Sequence, residues 1–254
     1  MKIIKYVLLD LVRNKIILVY MLILAALALS ILSLDNNTSK GLLSLLDISL
    51  LFVPLISILF STIYFFNSIE FTELLLALPL GRRRLLLSEY WGLSFSLCIA
   101  YAIGIGLPVL ILAPGTAGVI LIVCGLLLTL IFSALALLVF VWFKDKTKGI
   151  GASIIIALFF TLLFDGLLMI FIYSFSDYPI DKPIVAIIAL NPVDLARVFM
   201  LLHLDVAVLM GYSGALFKKL LGTSAGSIFT ISCMVLWIVG PLWLSVRLFR
   251  KKDL

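Results

Sequence analysis

A chain of 254 residues that is 64% hydrophobic and 13% charged is too apolar for a water-soluble domain, which has about 45–50% apolar and about 25% charged residues. Its net charge of +6 does not signal nucleic-acid binding, because the basic residues stand at the ends of apolar runs and form no aromatic-interleaved stripe. A single histidine, His203, excludes any mechanism that needs two. Cys98, Cys124 and Cys233 lie inside apolar runs without metal-ligand spacing, so they read as small hydrophobes and no metal site is expected.

From the amino terminus, Ile3, Ile4, Val7, Leu8, Leu11 and Val12 recur at helical spacing opposite Lys5 and Asp10. This predicts an amphipathic elbow helix over 1–14, lying in the interface plane. The apolar run Ile16–Leu34 is too long for the core of a secretory signal and no small-residue cleavage pattern ends it, so it reads as a retained helix. A spanning helix needs about 20 residues. Ile48–Ile69 supplies a second. Tyr90–Phe143 is long enough for two, with a turn at Ala113-Pro114-Gly115-Thr116. The run from Gly149 continues past Asp165 to Ser176, and Leu220–Val246 supplies the last. The expectation is an all-α integral membrane protein, one permease-like domain over 1–254, with six transmembrane helices at roughly 16–34, 46–67, 91–112, 117–142, 150–174 and 224–247.

Six spans put both termini on one side. That side carries the basic residues up to Lys15, the Arg82–Arg84 and Lys144–Lys148 groups, and those from Arg247 onward, 14 of the 19 Lys and Arg. Lys40, Lys182, Arg197, Lys218 and Lys219 fall opposite. The bias predicts cytoplasmic termini.

Between the second and third spans, the segment 68–90 reads as a short cytoplasmic surface helix. Asn67 and Glu70 form a capping-box pattern, helix follows to about Leu78, and Pro79 and Gly81 end it. Glu70, Phe71, Thr72 and Glu73 would face the cytoplasm. Arg82, Arg83 and Arg84 read as a basic anchor, with Tyr90 and Trp91 marking the interface where the third span begins. The bland alternative is an ordinary loop. The functional one is a coupling helix, a rigid lever through which a separate ATPase moves the spans.

The outer loop, 177–219, holds an amphipathic helix. Asn191 is a good cap, Pro192 suits the first helical position and Asp194 favours the positive helix start, with helix expected to about Met210. We expect this helix at the outer membrane surface or plugging the outer face of a dimer, with Asn191, Asp194 and Arg197 available to an outer partner. Gly211-Tyr212-Ser213-Gly214 matches a serine-protease GxSG, but His203 precedes the serine instead of standing on a later span. Met200 and His203 share a helical face, a spacing that suits packing far better than Cu(I) binding. Asp165, the lone carboxylate within a span, reads as structural or path-lining near the outer half of the fifth helix.

The segment Glu70–Arg82 resembles the region between the second and third spans of ABC-2-type permeases: acidic-x-Thr-x-Glu, then leucines, then Pro-x-small-Arg. Phe71 stands where that family often has Gly. The elbow helix, six spans and termini also agree with the family. Within it, the short second cytoplasmic segment and Leu190–Arg197 resemble NosY-type permeases, which act in maturation of the copper enzyme nitrous oxide reductase. The resemblance implies a bacterial inner-membrane homodimer bound to a cytoplasmic ABC ATPase dimer and to a periplasmic NosD-type protein. ATP and Mg would bind on the ATPase, and this chain, with no GxxxxGK[ST], would bind no cofactor and be no enzyme. Other expectations are an ABC-2 exporter of a lipid, peptide or drug, and a non-transporting assembly scaffold.

Overall fold

The computed structural model describes residues 14–34, 38–69, 81–175, 181–203 and 224–249. The elbow helix of 1–14, all but the last residue of it, and Glu70–Leu80, which hold Glu70, Phe71, Thr72 and Glu73, lie outside the described residues. So does the stretch 204–223 with its GxSG.

Eight helical segments follow one another among the described residues. They are α1 (Lys15–Leu34), α2 (Thr38–Asn67), α3 (Arg82–Tyr101, continued through a π-helical turn Ala102–Gly106 and Leu107–Leu112), α4 (Thr116–Trp142), α5 (Lys146–Leu158, a π-helical turn Phe159–Leu163, then Phe164–Ser174), α6 (Asp181–Ala189), α7 (Pro192–His203) and α8 (Ser224–Phe249). Helix is the form expected of such a sequence, since hydrocarbon offers no partner to a free backbone N–H or C=O. Six of these, α1 to α5 and α8, are long and apolar enough to cross a membrane. α4, at 27 residues, is about 40 Å long, ample for a hydrocarbon core about 30 Å thick.

Two boundaries differ from expectation. α2 begins at Thr38, eight residues before the expected start, and α3 begins at Arg82. The arginines therefore form the first turn of the third helix. Tyr90 is buried and donates its hydroxyl to the Leu130 carbonyl at 3.1 Å, so it packs between helices and does not mark an interface.

Burial separates the spans into two groups. In α2, α3 and α4 half or more of the apolar window is inside the molecule (50%, 50% and 61%), against 22%, 11% and 17% in α1, α5 and α8. The centre is the pair α2 and α4, with α8 and α7 packed on α4 and the start of α5 on α2. Hydroxyls fasten this centre. Ser61 donates to Ser133 across α2 and α4 at 3.4 Å, and Thr62 meets Ser153 across α2 and α5 at 2.7 Å. Such pairs matter between membrane helices because apolar contact with a neighbour has no advantage over contact with lipid tails.

Close approach requires glycine at several places, most tightly at two. A Cβ on Gly125 would stand 2.0 Å from Cζ of Tyr101, a fully buried ring that reaches the Leu121 carbonyl from α3. A Cβ on Gly149 would stand 2.3 Å from the Phe66 ring, so the end of α2 lies directly on the start of α5. The π-helical turn of α3 precedes Pro108, which has no N–H to continue the regular ladder.

Gly125→Ala is expected to lower the melting temperature of the detergent-solubilised protein, at a cost of about 1–3 kcal/mol from overpacking. Gly151, which has open space where its Cβ would go, provides the contrast. Gly151→Ala is expected to be neutral or stabilising by up to about 1 kcal/mol. Equal effects of the two changes in a thermal unfolding series would contradict the packing described.

Candidate functional site

Asp165, Asn191, Asp194 and Arg197 converge where α7 meets α5. The short helices α6 and α7 form a bent pair, with an angle of 116° between Pro183–Ala189 and Pro192–His203. Asn191 makes the bend possible. Its Oδ1 accepts the Val193 N–H at 2.9 Å and its carbonyl accepts the Leu195 N–H at 3.1 Å, starting α7 as a helix cap does. Its Nδ2 donates to the Phe160 carbonyl at 2.9 Å and to Asp194 Oδ2 at 2.9 Å. Both amide hydrogens and the amide oxygen are thus engaged, which suits a side chain with no exposed surface. Phe160 sits in the π-helical turn of α5, and a widened turn changes which carbonyls the helix itself uses.

Arg197, one turn beyond Asp194 on α7, forms an ion pair with Asp165 of α5 through its Nη1. The same Nη1 lies 3.6 Å from Asp194 Oδ1. One guanidinium therefore serves two carboxylates, and Asp194 also sits in the first turn of α7, where the helix dipole favours negative charge. Asp165 is nine residues from the last residue of α5, Ser174, hence about 14 Å along the axis. The pair therefore lies well below the end of the span. Its Asp165 side chain is 36% exposed and Arg197 29%, whereas Asp194 is 6% exposed.

Other contacts lock the bent pair to the bundle. Trp237 of α8 donates its indole N–H to the Ala189 carbonyl at 3.1 Å, and Cys124 of α4 approaches the Ala196 carbonyl at 3.9 Å. Val193, Leu195, Ala196, Phe199 and Met200 are buried. The expected placement of this helix at the outer surface needs correction for 192–200. It is packed into the molecule, because its apolar residues run around more of the helix than one lipid-facing stripe would use. Asn191 and Asp194 accordingly turn inward instead of offering themselves to an outer partner. Met200 is buried, and His203 Nδ1 donates to the Phe199 carbonyl at 2.8 Å.

The other end of the bundle holds the basic residues. Arg83 and Arg84 are exposed in the first turn of α3. Asp145 caps α5 by accepting the Thr147 N–H at 2.9 Å, and Lys146 donates to Asn67 Oδ1 at 2.7 Å. Asn67 is the last residue of α2, so the segment between the second and third spans departs from a point tied to α5. The residue that sequence reasoning missed is Arg197 as the partner of Asp165. A usable signal was present: an Arg three residues after Asp194, in a stretch otherwise too apolar for a loop.

Chemically, this arrangement is a membrane bundle with a charge-clamped helical hairpin between its fifth and sixth spans. No family model matches the chain. It is 29% identical over 229 aligned residues to the probable ABC transporter permease protein NosY of Pseudomonas aeruginosa, with 83% of this chain and 80% of that protein covered. It is 27% identical over 262 aligned residues to the probable ABC transporter permease protein NosY of Stutzerimonas stutzeri, with 94% of this chain and 91% of that protein covered. With six candidate spans the chain has the make-up of a multi-pass membrane protein, and over most of its length it is similar to permease subunits of ABC transporters. Within that class its similarity is to the NosY type.

Removing Arg197 leaves two carboxylates without their cation, and removing Asp165 leaves Arg197 only the longer contact to Asp194. Asp165→Asn and Arg197→Gln are each expected to destabilise by about 1–3 kcal/mol, less than a fully buried pair because both side chains are partly exposed. The double variant is expected to lose less than the sum of the two. Additive losses in detergent melting curves would mean that the two residues do not act as a pair.

Proposed function

We propose that this chain couples ATP hydrolysis by a cytoplasmic ABC ATPase dimer to export or handling of a cargo, in maturation of the copper enzyme nitrous oxide reductase. The observation that carries the reading is near-full-length similarity to permeases named NosY, together with the Glu70–Arg82 pattern. Glu70, Phe71, Thr72 and Glu73 form the coupling contact, with acidic groups suited to a basic groove and Phe71 to an apolar pocket. The permease is a homodimer, since a pair of ATP sites needs two levers. The partly exposed Asp165–Arg197 pair on the least buried span supports this, because a second copy would shield it from lipid. Both termini are cytoplasmic by the basic bias, which keeps its sign when Arg197 is moved into the bundle. A periplasmic NosD-type protein contacts the opposite face.

The contacts of Asn67 with Lys146 and of Phe66 with Gly149 support a mechanical role for the second-to-third segment. A push applied there reaches α5, the span that carries Asp165.

Reversing both acidic charges, Glu70→Lys with Glu73→Lys, is expected to reduce ATPase capture in a pull-down at least fivefold, with membrane abundance unchanged. Neutralising Arg82, Arg83 and Arg84 together is expected to lower yield or disturb topology instead. Normal ATPase capture by the charge-reversed protein at normal abundance would refute the coupling role. An impermeant thiol reagent should fail to label a cysteine added after Leu254 in intact cells, and labelling there would reverse the orientation.

A further inference from the structure

The basic end of the bundle contains a cleft of about 550 Å³ between the first turns of α3 and the last turns of α8. Arg83 and Arg247 line it, with Leu242, Trp243 and Val246 among its apolar residues. We infer that this cleft is a binding site for one anionic phospholipid, the phosphate held by Arg83 and Arg247 and an acyl chain lying along α8. This site is separate from the coupling contact and from the Asp165 clamp, and it holds whichever way the chain is oriented.

Three features point to a lipid. First, the polarity is graded along the helix. From Val239 to Arg247 is eight residues, or about 12 Å of axial rise, with the charge at the rim and Val239, also lining the cleft, deeper in the span. An amphiphile with a charged head and an apolar tail matches that gradient, whereas a free anion would use only the rim. Second, one of the two cations is already positioned. The Arg247 guanidinium lies over the Trp243 ring, 5.4 Å from its centroid, one helical turn back, so less side-chain freedom is lost when it meets a phosphate. Arginine presents a fork of N–H donors that fits phosphate oxygens in pairs. Third, the walls already face the bilayer: Val239 is 55% and Trp243 60% exposed. Basic pockets between membrane helices recognise anionic head groups by this combination.

The test is native mass spectrometry of the full chain in detergent, titrated with phosphatidylglycerol. One phosphatidylglycerol per chain should persist at energies that strip phosphatidylcholine. Arg83→Gln and Arg247→Gln should each weaken retention about fivefold, as loss of one such charge implies. Arg84→Gln, an exposed arginine of the same turn that does not line the cleft, should leave retention unchanged. Phosphatidylglycerol should also raise the melting temperature of the unmodified chain, a readout that needs no variant. Equal retention of phosphatidylcholine, or an Arg84→Gln effect as large as the other two, would overturn the proposal. Displacement of the lipid by millimolar inorganic phosphate would overturn it in favour of a small-anion site. Loss of self-association in Arg247→Gln with lipid retention intact would overturn it by assigning the cleft to a second copy of the chain.

Discussion

Every polar group that enters hydrocarbon must be satisfied by the chain itself, and the form of this protein follows from that constraint. It makes the backbone helical over each apolar run. It sends Thr129, Ser133, Thr161 and Ser245 back to the carbonyl four residues earlier. It pairs other hydroxyls across helices, as at Thr62 and Ser153. It also leaves Asp165 one good option, a cation from a neighbouring element, and Arg197 supplies it. The hairpin of α6 and α7 is consequently part of the bundle rather than a covering over it.

Two mechanical regions result. α2, α3 and α4 form a packed centre with a glycine contact at Gly125 that admits no added atom without a shift. α1, α5 and α8 stand outside it. In the proposed transporter, α5 joins the two ends. At the basic end it touches the last turn of α2, and further along it holds the hairpin through Phe160 and Asp165. Both π-helical turns lie in long spans, α3 and α5, and such turns are frequent where helices bend or carry function.

The span count was legible because a charge-free run of about twenty residues is the length a bilayer selects and a soluble fold rarely tolerates. The turn at Ala113–Gly115 was legible for the same local reason, and Asn191, Pro192 and Asp194 announced the start of α7. The site was less legible. Asp165 stood out as an intramembrane carboxylate, yet its partner lies 32 residues away, and no local pattern ties one to the other. Arg197 falls among the outer-loop charges in the sequence because its segment is short and interrupted, which periodicity reads as interfacial. A bend of 116° at Leu190-Asn191 turns that same segment into the bundle. Glu89 shows the same limit: it is 1% exposed, since α3 starts two turns earlier than hydropathy alone suggests.

The central claim is that this chain works as the membrane half of an ATP-driven machine. It is tested most directly by purifying the chain from native membranes in mild detergent and measuring the mass and ATP hydrolysis of what accompanies it. The account predicts a complex containing two copies of this chain and two of an ABC ATPase, hydrolysing ATP. A chain that purifies in full yield without an ATPase, or with a partner that hydrolyses no ATP, would contradict it.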